Sequence, residues 1–195
     1  MRNFHIALSS FFVAASVMIL SSTVIAADQE PVEQEITLRI LGGVSFLSNT
    51  DPVVGGFSLG SDIKFGITDK FGIGATFAHT LGSGSTSNPG TRVNQDITVI
   101  GVNPYYGLRK SSGVSASVGI IAGAMISATS TTLNASPGGT TSGSASKFAL
   151  GLNAAIDIPV MGAFFFTLVP EYVHSIGSGE NIGVASIRGG FGFSL

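Results

Sequence analysis

The sequence predicts an all-β protein, an eight-stranded antiparallel transmembrane β-barrel preceded by a cleavable signal peptide. Apolar and polar residues alternate with a period of two in eight successive segments, the connections between them differ in length, and the chain opens with an apolar run. Only 10% of the residues are charged, and 27 of the 195 are glycine. Because glycine destabilises helix interiors by about 1 kcal/mol relative to alanine, this composition argues against a helical membrane protein.

The first 26 residues have the pattern of a secretory signal peptide. Arg2 supplies the positive start, a long apolar run follows, and the small side chain of Ala26 suits cleavage after that residue. The alternative is an uncleaved membrane anchor. We predict a signal peptide over residues 1–26, a short periplasmic leader over 27–34 and the outer-membrane barrel domain over 35–195.

The composition excludes several classes of function. The formal net charge of −2 leaves no basic excess with which to neutralise nucleic-acid phosphates. The chain has no cysteine, which excludes a disulfide framework. Its Gly-x-Gly stretches lie in predicted strands without a following helix, so they do not indicate a nucleotide site. We expect no nucleic-acid partner, no metal site and no cofactor.

The alternating segments have one face of large apolar side chains and one face of small, polar or charged side chains, and only the fourth segment, DITVIGVNPYYGL, alternates less cleanly. The segments are about ten residues long, which is the length that a tilted strand needs to cross a membrane. In chain order they are EITLRILGGVSF, FSLGSDIKFGI, FGIGATFAHTL, DITVIGVNPYYGL, GVSASVGIIAGAMIS, KFALGLNAAIDI, AFFFTLVPEYVH and VASIRGGFGFSL.

The connections indicate which end of the barrel faces outwards. Short turns at one rim and longer loops at the other are typical of outer-membrane barrels. Because lipid cannot satisfy the hydrogen bonds of a free strand edge, the last strand must pair with the first. We predict short connections at 68–70, 109–112 and 159–162, an intermediate one at 177–181, and long Ser/Thr/Gly-rich loops at 48–56, 82–94 and 129–146.

A soluble β-sandwich or a lipocalin-like barrel is the alternative fold, because both also contain alternating strands. A soluble barrel would place its bulky apolar face inside. Here the polar face is small and glycine-rich, which suits the narrow interior of an eight-stranded barrel, and the bulky face suits contact with lipid. Together with the export signal, this pattern favours the membrane barrel.

The chain ends on RGGFGFSL, in which Arg188, Gly190, Phe193 and Leu195 form a spaced pattern of polar, glycine and two hydrophobic residues. This pattern resembles the assembly signal of bacterial outer-membrane proteins, although that family usually ends in an aromatic residue. Residues 35–195 resemble the small eight-stranded outer-membrane barrels of the OmpA, OmpX and OmpW type. The resemblance implies a monomer in a Gram-negative outer membrane, in contact with its lipid and lipopolysaccharide and inserted by the outer-membrane assembly machinery.

Charged residues on the inward face are the candidate working residues. Opposite charges on neighbouring antiparallel strands stabilise each other when they lie across from one another. In a closed barrel the first and last hairpins are neighbours, and both carry such charges. We predict a lumen network of Arg39, Asp62, Lys64, Glu171 and Arg188, with Arg39 opposite Asp62, Glu171 opposite Arg188, and Lys147, Asn153 and Asp157 as extensions on the far wall.

The sequence also predicts positions in the barrel for aromatic residues and for two prolines. Aromatic side chains are expected to anchor the rims, or else to contact lipid at mid-membrane. Pro104 and Pro170 fall inside predicted strands, where proline removes a ladder donor, so we predict a bulge or a rim position at each. The candidate rim residues are Phe65, Phe71, Tyr106, Phe164, Tyr172 and Phe191.

The sequence leaves three functional classes open. The first is a structural role in membrane integrity, with passive passage of small solutes as a possible addition; inward Ile121 and Met125 argue against a wide aqueous channel. The second is a surface interaction protein that acts through loops such as 129–146. The third is a lipid A-modifying enzyme, which the sequence disfavours because His174 and Ser175 are adjacent and therefore face opposite sides of a strand.

Overall fold

The computed structural model describes residues 35–48, 54–85, 91–111, 113–133 and 139–195; the predicted signal peptide and leader lie outside the described residues. Within them no helix is long and apolar enough to cross a membrane. Eight antiparallel strands close into a barrel in sequence order, which confirms the predicted all-β fold. The strands are β1 (Ile36–Ser48), β2 (Val54–Gly66), β3 (Phe71–Ser85), β4 (Thr91–Ser111), β5 (Val114–Leu133), β6 (Gly139–Met161), β7 (Phe164–Ile176) and β8 (Gly183–Ser194).

Strand β8 closes the barrel by pairing with β1. The register runs from Thr37 opposite Ser194 to Ser48 opposite Gly183. Beyond the last ladder pair, the Leu195 N–H donates to the Ile36 carbonyl at 2.9 Å, and the Ile36 N–H donates to the Leu195 carbonyl at 3.3 Å. The final residue therefore satisfies backbone groups at the seam of the barrel, as closure in lipid requires.

The two ends of the barrel differ in their connections. The turn end carries the short connections at 67–70, 112–113 and 162–163, and the loop end carries those at 49–53, 86–90, 134–138 and 177–182. Gly113 and Gly162 have positive φ angles of 115° and 56°, which L side chains rarely adopt, so glycine permits these tight turns. Glu35 and Leu195 both lie at the turn end.

The outer surface of the barrel is apolar. Large side chains at alternate positions point outwards, and Ile40 and Phe191 remain 77% and 68% exposed. The intervening residues of the same strands are buried, among them Arg39, Asp62 and Thr76. This polarity is the reverse of that of a soluble barrel, and it matches the requirement for contact with lipid hydrocarbon.

Inward glycines make room for aromatic rings inside the narrow barrel. A Cβ atom at Gly72 would collide with the ring of Tyr105, and one at Gly192 would collide with the ring of Phe165. A ring packed over a glycine on the neighbouring strand covers backbone that would otherwise lack side-chain contacts. The glycine content that argued against helices thus serves side-chain packing in the lumen.

Aromatic pairs gather at the turn end. Phe71 and Tyr106 contact each other with ring centroids 4.9 Å apart, and Phe164 and Phe193 do so at 5.0 Å. Such tilted pairs add stability beyond the area that they bury. Tyr172 lies on the other half of β7 and stacks on His174, with ring centroids 6.4 Å apart.

Neither proline lies at a bulge. The predicted bulge or rim position is wrong for Pro170, which lies in the middle of β7, whereas Pro104 pairs with Ile73, the third residue of β3 from the turn end. Register shifts occur instead between Gly107 and Arg109 and between Pro159 and Met161. Pro104 and Pro170 stay in register with β3 and β8 respectively, and pairing is interrupted only on their other side. A strand can accommodate a missing donor by losing ladder pairs on one side without inserting an extra residue.

The predicted long loop at 129–146 is also wrong, because strands occupy most of it. Strand β5 continues to Leu133 and β6 begins at Gly139, with the two paired in continuous register. We call residues 91–96, 128–133 and 139–146 of β4, β5 and β6 the outer ribbon. Its Ser/Thr-rich sequence lacks apolar alternation, so backbone pairing there has no hydrophobic signature.

Candidate functional site: the closed lumen

The interior of the barrel contains a charged layer and an apolar cluster. The charged layer consists of three cations and three carboxylates, and several of its members lie near the strand ends at the turn end. The apolar cluster lies toward the loop end, where Leu47 is the penultimate residue of β1 and Val184 the second residue of β8. The charged layer comprises Arg39, Asp62, Lys64, Asp157, Glu171 and Arg188.

Arg39 connects opposite walls of the barrel. Its Nε and Nη2 donate to Asp157 Oδ1 and Oδ2 at 3.1 and 2.5 Å, and β1 and β6 are not neighbours. Arg39 also lies opposite Asp62 in the ladder, with Nη1 at 3.9 Å from Asp62 Oδ2. A bidentate arginine–carboxylate pair is among the stronger and more directional polar contacts in proteins. Arg39 therefore ties β1 to β6 across the lumen.

Asp62 and Lys64 extend these ties to further strands. The Thr76 hydroxyl of β3 donates to Asp62 Oδ1 at 2.7 Å, and Lys64 Nζ donates to the Ser117 hydroxyl of β5 at 3.1 Å. Lys64 Nζ also lies 4.5 Å from the centroid of the Tyr105 ring, a cation–π distance. The charged layer thus engages side chains from both halves of the barrel wall.

Arg188 and Glu171 form the most deeply buried ion pair. Arg188 Nη2 donates to Glu171 Oε2 at 2.5 Å, and the Arg188 side chain is fully buried. The predicted direct opposition is offset by two residues, because Glu171 faces Ser186 and Arg188 faces Val169. A long arginine side chain spans this diagonal, so the ion pair forms without direct opposition.

A glycine on β2 provides space for the Arg188 guanidinium. A Cβ atom at Gly60 would collide with Arg188 Nη1, so the arginine extends from β8 past β1 to reach β2. Arg188 Nε and Nη1 have no hydrogen-bond partner among the described residues, and the same holds for the buried side-chain amide of Asn103. The charged layer therefore retains hydrogen-bonding capacity at its centre.

The three cations and three carboxylates balance one another in charge. Removing two ions from water costs several kcal/mol per ion unless each finds a close partner of opposite charge. Arg39 has Asp157 and Asp62, and Arg188 has Glu171. The arrangement is therefore compatible with stable burial, and it fills the cross-section near the turn end with side chains.

The apolar cluster lies toward the loop end of the lumen. Its nine buried members come from every strand except β2, and Ile182 packs against it. Hydrophobic constrictions of this kind exclude water and ions by dewetting. The members are Leu47, Ala78, Ile97, Val99, Ile121, Met125, Ala149, Val173 and Val184.

Sequence reasoning placed Ile121 and Met125 inside but missed most of this cluster. Ile97 and Val99 lie on the inward face of β4, where the sequence ITVIGV is apolar on both faces. A strand that is apolar on both sides signals contact with lipid on one side and with an apolar interior on the other. The segment DITVIGVNPYYGL, whose alternation is poor, is apolar on both sides in this way.

The structure places the three proposed extensions of the network, Lys147, Asn153 and Asp157, in different surroundings. Asp157 is a central member, because it receives both hydrogen bonds from Arg39. Asn153 is buried beside Gly119, where the side chain of Asn103 also packs. Lys147 lies apart from the charged layer, and its Nζ donates to the Glu180 carbonyl in the connection between β7 and β8.

Thr76 and Ser117, which bond to the charged layer, and the buried Asn103 were not singled out from the sequence. Each occupies the polar face of a correctly predicted alternating segment. Their period-two position was the available signal, but uncharged small residues do not stand out among many others of the same type. The ladder that places Thr76 opposite Asp62 identifies its role directly.

His174 and Ser175 do not form a nucleophile–base pair. His174 lies on the outward face and stacks on Tyr172, whereas the Ser175 hydroxyl is buried and accepts a hydrogen bond from the Ile182 N–H at 2.7 Å. Within the described part of the chain, His, Asp and Glu side chains form no group of three that would hold a metal ion.

The residues of the predicted assembly signal lie along β8. Gly190 faces the lumen opposite Leu41, where a Cβ would collide with the Ile40 carbonyl of the neighbouring strand. Phe193 faces outwards and packs on Phe164. Leu195 continues the β1 seam through its backbone.

Comparison with known proteins adds information at the level of the fold. No protein-family model and no curated protein matches the chain. Among solved structures, Neisserial surface protein A matches with 13% identity and a TM-score of 0.61, covering 82% of this chain and 97% of that one. Ail of Yersinia pestis, in complex with the heparin analogue sucrose octasulfate, matches with 19% identity and a TM-score of 0.54, covering 83% and 100%.

OprG from Pseudomonas aeruginosa matches with 12% identity and a TM-score of 0.52, covering 83% of this chain and 96% of that one. At such low identity the likeness establishes the shared fold alone. The fold is that of small eight-stranded outer-membrane β-barrels, which confirms the resemblance noted in the sequence. OprG is an outer membrane protein, and this chain shares its fold.

Proposed function

We propose that this protein is an integral protein of the bacterial outer membrane with a closed lumen, and that its role is structural, in the integrity of that membrane. The observation that carries this proposal is that buried side chains of the charged layer and of the apolar cluster both occupy the lumen. A porin-like pathway would need a continuous aqueous lumen.

Two physical arguments favour closure over passage. Eight strands enclose barely enough space for side chains. An ion moving from the turn end would meet the paired charges of Arg39 and Arg188 and then the apolar cluster, whose members come from seven strands. Both steps are costly in a low-dielectric interior, so passive passage of small solutes is the less favoured reading.

The outer surface supports the remaining parts of the proposal. A belt of exposed Ile, Leu, Val and Phe side chains surrounds the barrel and suits lipid as its solvent. Closure through β8 makes the chain competent as a monomer, because the barrel has no long unpaired seam. The proposal includes export of the chain through a cleaved signal peptide and its insertion by the outer-membrane assembly machinery.

Planar-bilayer recording of the refolded protein tests the proposed function. Heat-modifiable migration in SDS gels first establishes that the barrel is folded. We expect no discrete current steps at any voltage that the bilayer tolerates, while a wide porin refolded in the same way gives steps. Reproducible steps from folded protein, with a size that scales with salt concentration, would contradict a closed lumen.

A further inference from the structure

The inward face of β2 has a different character from the rest of the barrel wall. Among the eight described strands, β2 alone contributes no member to the apolar cluster. Its inward residues between Gly56 and Lys64 are glycine, serine, aspartate and lysine. We call these residues the polar track; they are Gly56, Ser58, Gly60, Asp62 and Lys64. The polar track leads from the charged layer toward the loop end along a strand without apolar inward side chains.

Three hydroxyl groups meet at the loop-end side of the polar track. The Thr80 hydroxyl lies 3.4 Å from Ser45 Oγ and 3.3 Å from Ser58 Oγ, and all three side chains are buried. Each hydroxyl has one proton to donate and two lone pairs that accept. The two contacts therefore leave hydrogen-bonding capacity at Ser58, which is the next inward residue after Gly60 toward the loop end.

Two arginines and an aspartate bring unpaired polar atoms to the same wall. Arg188 Nη1 lies so close to Gly60 that a Cβ atom there would collide with it. Arg188 Nη1, Arg39 Nη1 and Asp62 Oδ2 have no hydrogen-bond partner among the described residues. The three residues are only 0%, 4% and 2% exposed, so bulk solvent does not satisfy these atoms. Buried polar groups without partners are rare in native proteins.

The distances around Asp62 suit bridging water. Arg39 Nη1 lies 3.9 Å from Asp62 Oδ2, which is too long for a direct hydrogen bond. Gly60 and Asp62 are successive inward residues, so their Cα atoms are about 7 Å apart. Because a hydrogen bond covers about 2.9 Å, one or two water molecules span the interval between Arg188 Nη1 and the carboxylate. Asp62 Oδ1 already accepts from the Thr76 hydroxyl, which leaves Oδ2 as the acceptor.

The unpaired atoms favour water over an ion as the ligand. The two Nη1 groups donate hydrogen bonds and Asp62 Oδ2 accepts them, so the ligand has to accept from the arginines and donate to the carboxylate. Water does both, and buried waters typically make about three hydrogen bonds to polar groups that lack other partners. A halide has no proton to donate to Asp62, and a metal cation would face two guanidinium groups.

We propose that the polar track is a binding site for ordered water. The central molecule is held by Arg188 Nη1, Arg39 Nη1 and Asp62 Oδ2, and a second molecule binds the Ser58 hydroxyl. The inference goes beyond the proposed function, because it assigns bound water to one wall of an interior that is closed to ions. Water supplies Arg188 with partners on the side away from Glu171, while the wall lined by the apolar cluster stays dry.

A crystal structure of the folded protein at about 1.5 Å resolution tests this site. We expect an ordered density peak within hydrogen-bond distance of Arg188 Nη1 and Asp62 Oδ2, and a second peak at Ser58 Oγ. Well-ordered side chains without the first peak would overturn the proposal. Parallel crystals soaked in sodium bromide or rubidium chloride identify the ligand, because an anomalous peak at the central position would show an ion there and overturn the assignment to water.

Matched variants test whether these residues hold the water. Asp62→Leu removes the acceptor and should abolish the central peak. Ser58→Ala removes one hydroxyl and should abolish only the second peak, which keeps the test available if Asp62→Leu does not fold. Ser186→Ala removes a buried hydroxyl of β8 outside the polar track and should retain both peaks. Retention of the second peak in Ser58→Ala, or its loss in Ser186→Ala, would count against the site.

The planar-bilayer recording that tests the closed lumen is a separate measurement. Current steps from a protein whose crystals show both water peaks would defeat the proposed function alone. Silent bilayers from a protein whose crystals show no peak at Arg188 and Asp62 would defeat this inference alone.

Discussion

Arg188 and Glu171 illustrate how single residues determine the interior of this barrel. The Arg188 side chain is fully buried, its guanidinium contacts the Glu171 carboxylate, and the missing side chain of Gly60 leaves room for it. A buried ion pair contributes little net stability compared with well-packed apolar residues, but removal of one partner leaves an uncompensated charge. The pair therefore constrains which substitutions the lumen tolerates.

We predict that Arg188→Met and Glu171→Gln each lower the free energy of unfolding by about 3–5 kcal/mol, because each leaves one buried group without its partner. The double variant should be less destabilised than the sum of the two single variants, because it leaves no unpaired charge. Denaturant titration in detergent micelles, followed by far-UV circular dichroism because the chain lacks tryptophan, measures the three values.

Lys147→Met provides the control for this cycle, because Lys147 bonds to a backbone carbonyl outside the charged layer. A change within about 0.5 kcal/mol is expected there, as for most surface substitutions. Strict additivity of the Arg188 and Glu171 effects would show that the two side chains do not stabilise each other.

Residue-level reasoning from the sequence located the charges but did not determine their contacts. Arg39, Asp62, Lys64, Glu171 and Arg188 all lie inside the barrel, as their period-two positions predicted. Asp157 of β6 was expected only on the far wall, yet it forms the bidentate contact with Arg39. A contact between strands that are not neighbours depends on barrel diameter and stagger, which the alternation of one strand does not encode.

At the scale of elements, β8 has the largest effect on closure. It pairs with β1 over its whole length and with β7 on its other side. Its terminal residues also place Phe193 against Phe164 at the turn end. Without the end of this strand, backbone groups of β1 near Thr37 would face lipid without partners, at several kcal/mol per group.

We predict that deletion of Phe193–Leu195 prevents assembly of the barrel in the outer membrane. The deletion removes the partners of Thr37 and Leu38 and the two backbone hydrogen bonds of Ile36. The heat-modifiable band in the outer-membrane fraction measures the folded protein. We expect this band to fall at least tenfold, since the β1 edge then exposes unpaired backbone to lipid.

A matched deletion in the outer ribbon tests whether any shortening has the same effect. Removal of Thr131, Thr132, Thr140 and Thr141 takes out two facing pairs and preserves the alternation of β5 and β6. We expect this variant to assemble normally, because its residues lie beyond the apolar belt. A truncated β8 that assembles as well as this control would contradict the role assigned to the seam.

Element boundaries were predicted well only where an apolar face accompanies the strand. The turns near 68–70 and 159–162 were predicted because the alternation of apolar and polar residues in the flanking strands is interrupted there. Most residues of the outer ribbon are polar and exposed or half-buried on both faces, so the strands there have no apolar face, and Ser, Thr and Gly suggested a loop. Backbone hydrogen bonding between β5 and β6 determines the structure there.

At the scale of the whole molecule, the proposed closed lumen has two barriers in series, the charged layer and the apolar cluster. The charged layer joins β1, β2, β6, β7 and β8 through its ion pairs, and the apolar cluster has members from every strand except β2. Removal of one barrier leaves the other in the path. Conductance is therefore a property of the whole interior and not of one gating residue.

We predict that only a combined variant conducts. Arg39→Ala with Arg188→Ala weakens the charged layer, and Ile97→Ala with Met125→Ala opens the apolar cluster. Each pair alone should remain silent in planar bilayers, and the four changes together should give small, discrete current steps. Steps from the Arg39 and Arg188 variant alone would show that the apolar cluster does not block ions.

The sequence by itself determined the strand number, the direction of each face and the need for closure. Period-two alternation fixes which side chains face lipid, and the lack of hydrogen-bond partners in hydrocarbon requires the last strand to meet the first. These properties depend on a single strand or on one pair of neighbouring strands, so they can be predicted from the order of residues along the chain.

Only the tertiary structure decided what meets inside the barrel. The stagger of the strands brings Arg39 to Asp157 and Lys64 to Ser117 across the lumen, and it gathers Ile97, Val99 and Met125 into one cluster. Such contacts join strands that are distant around the wall, and their partners follow from strand tilt and barrel radius. The contacts inside the barrel are thus a consequence of three-dimensional geometry, whereas the sequence alone determines which face points inwards.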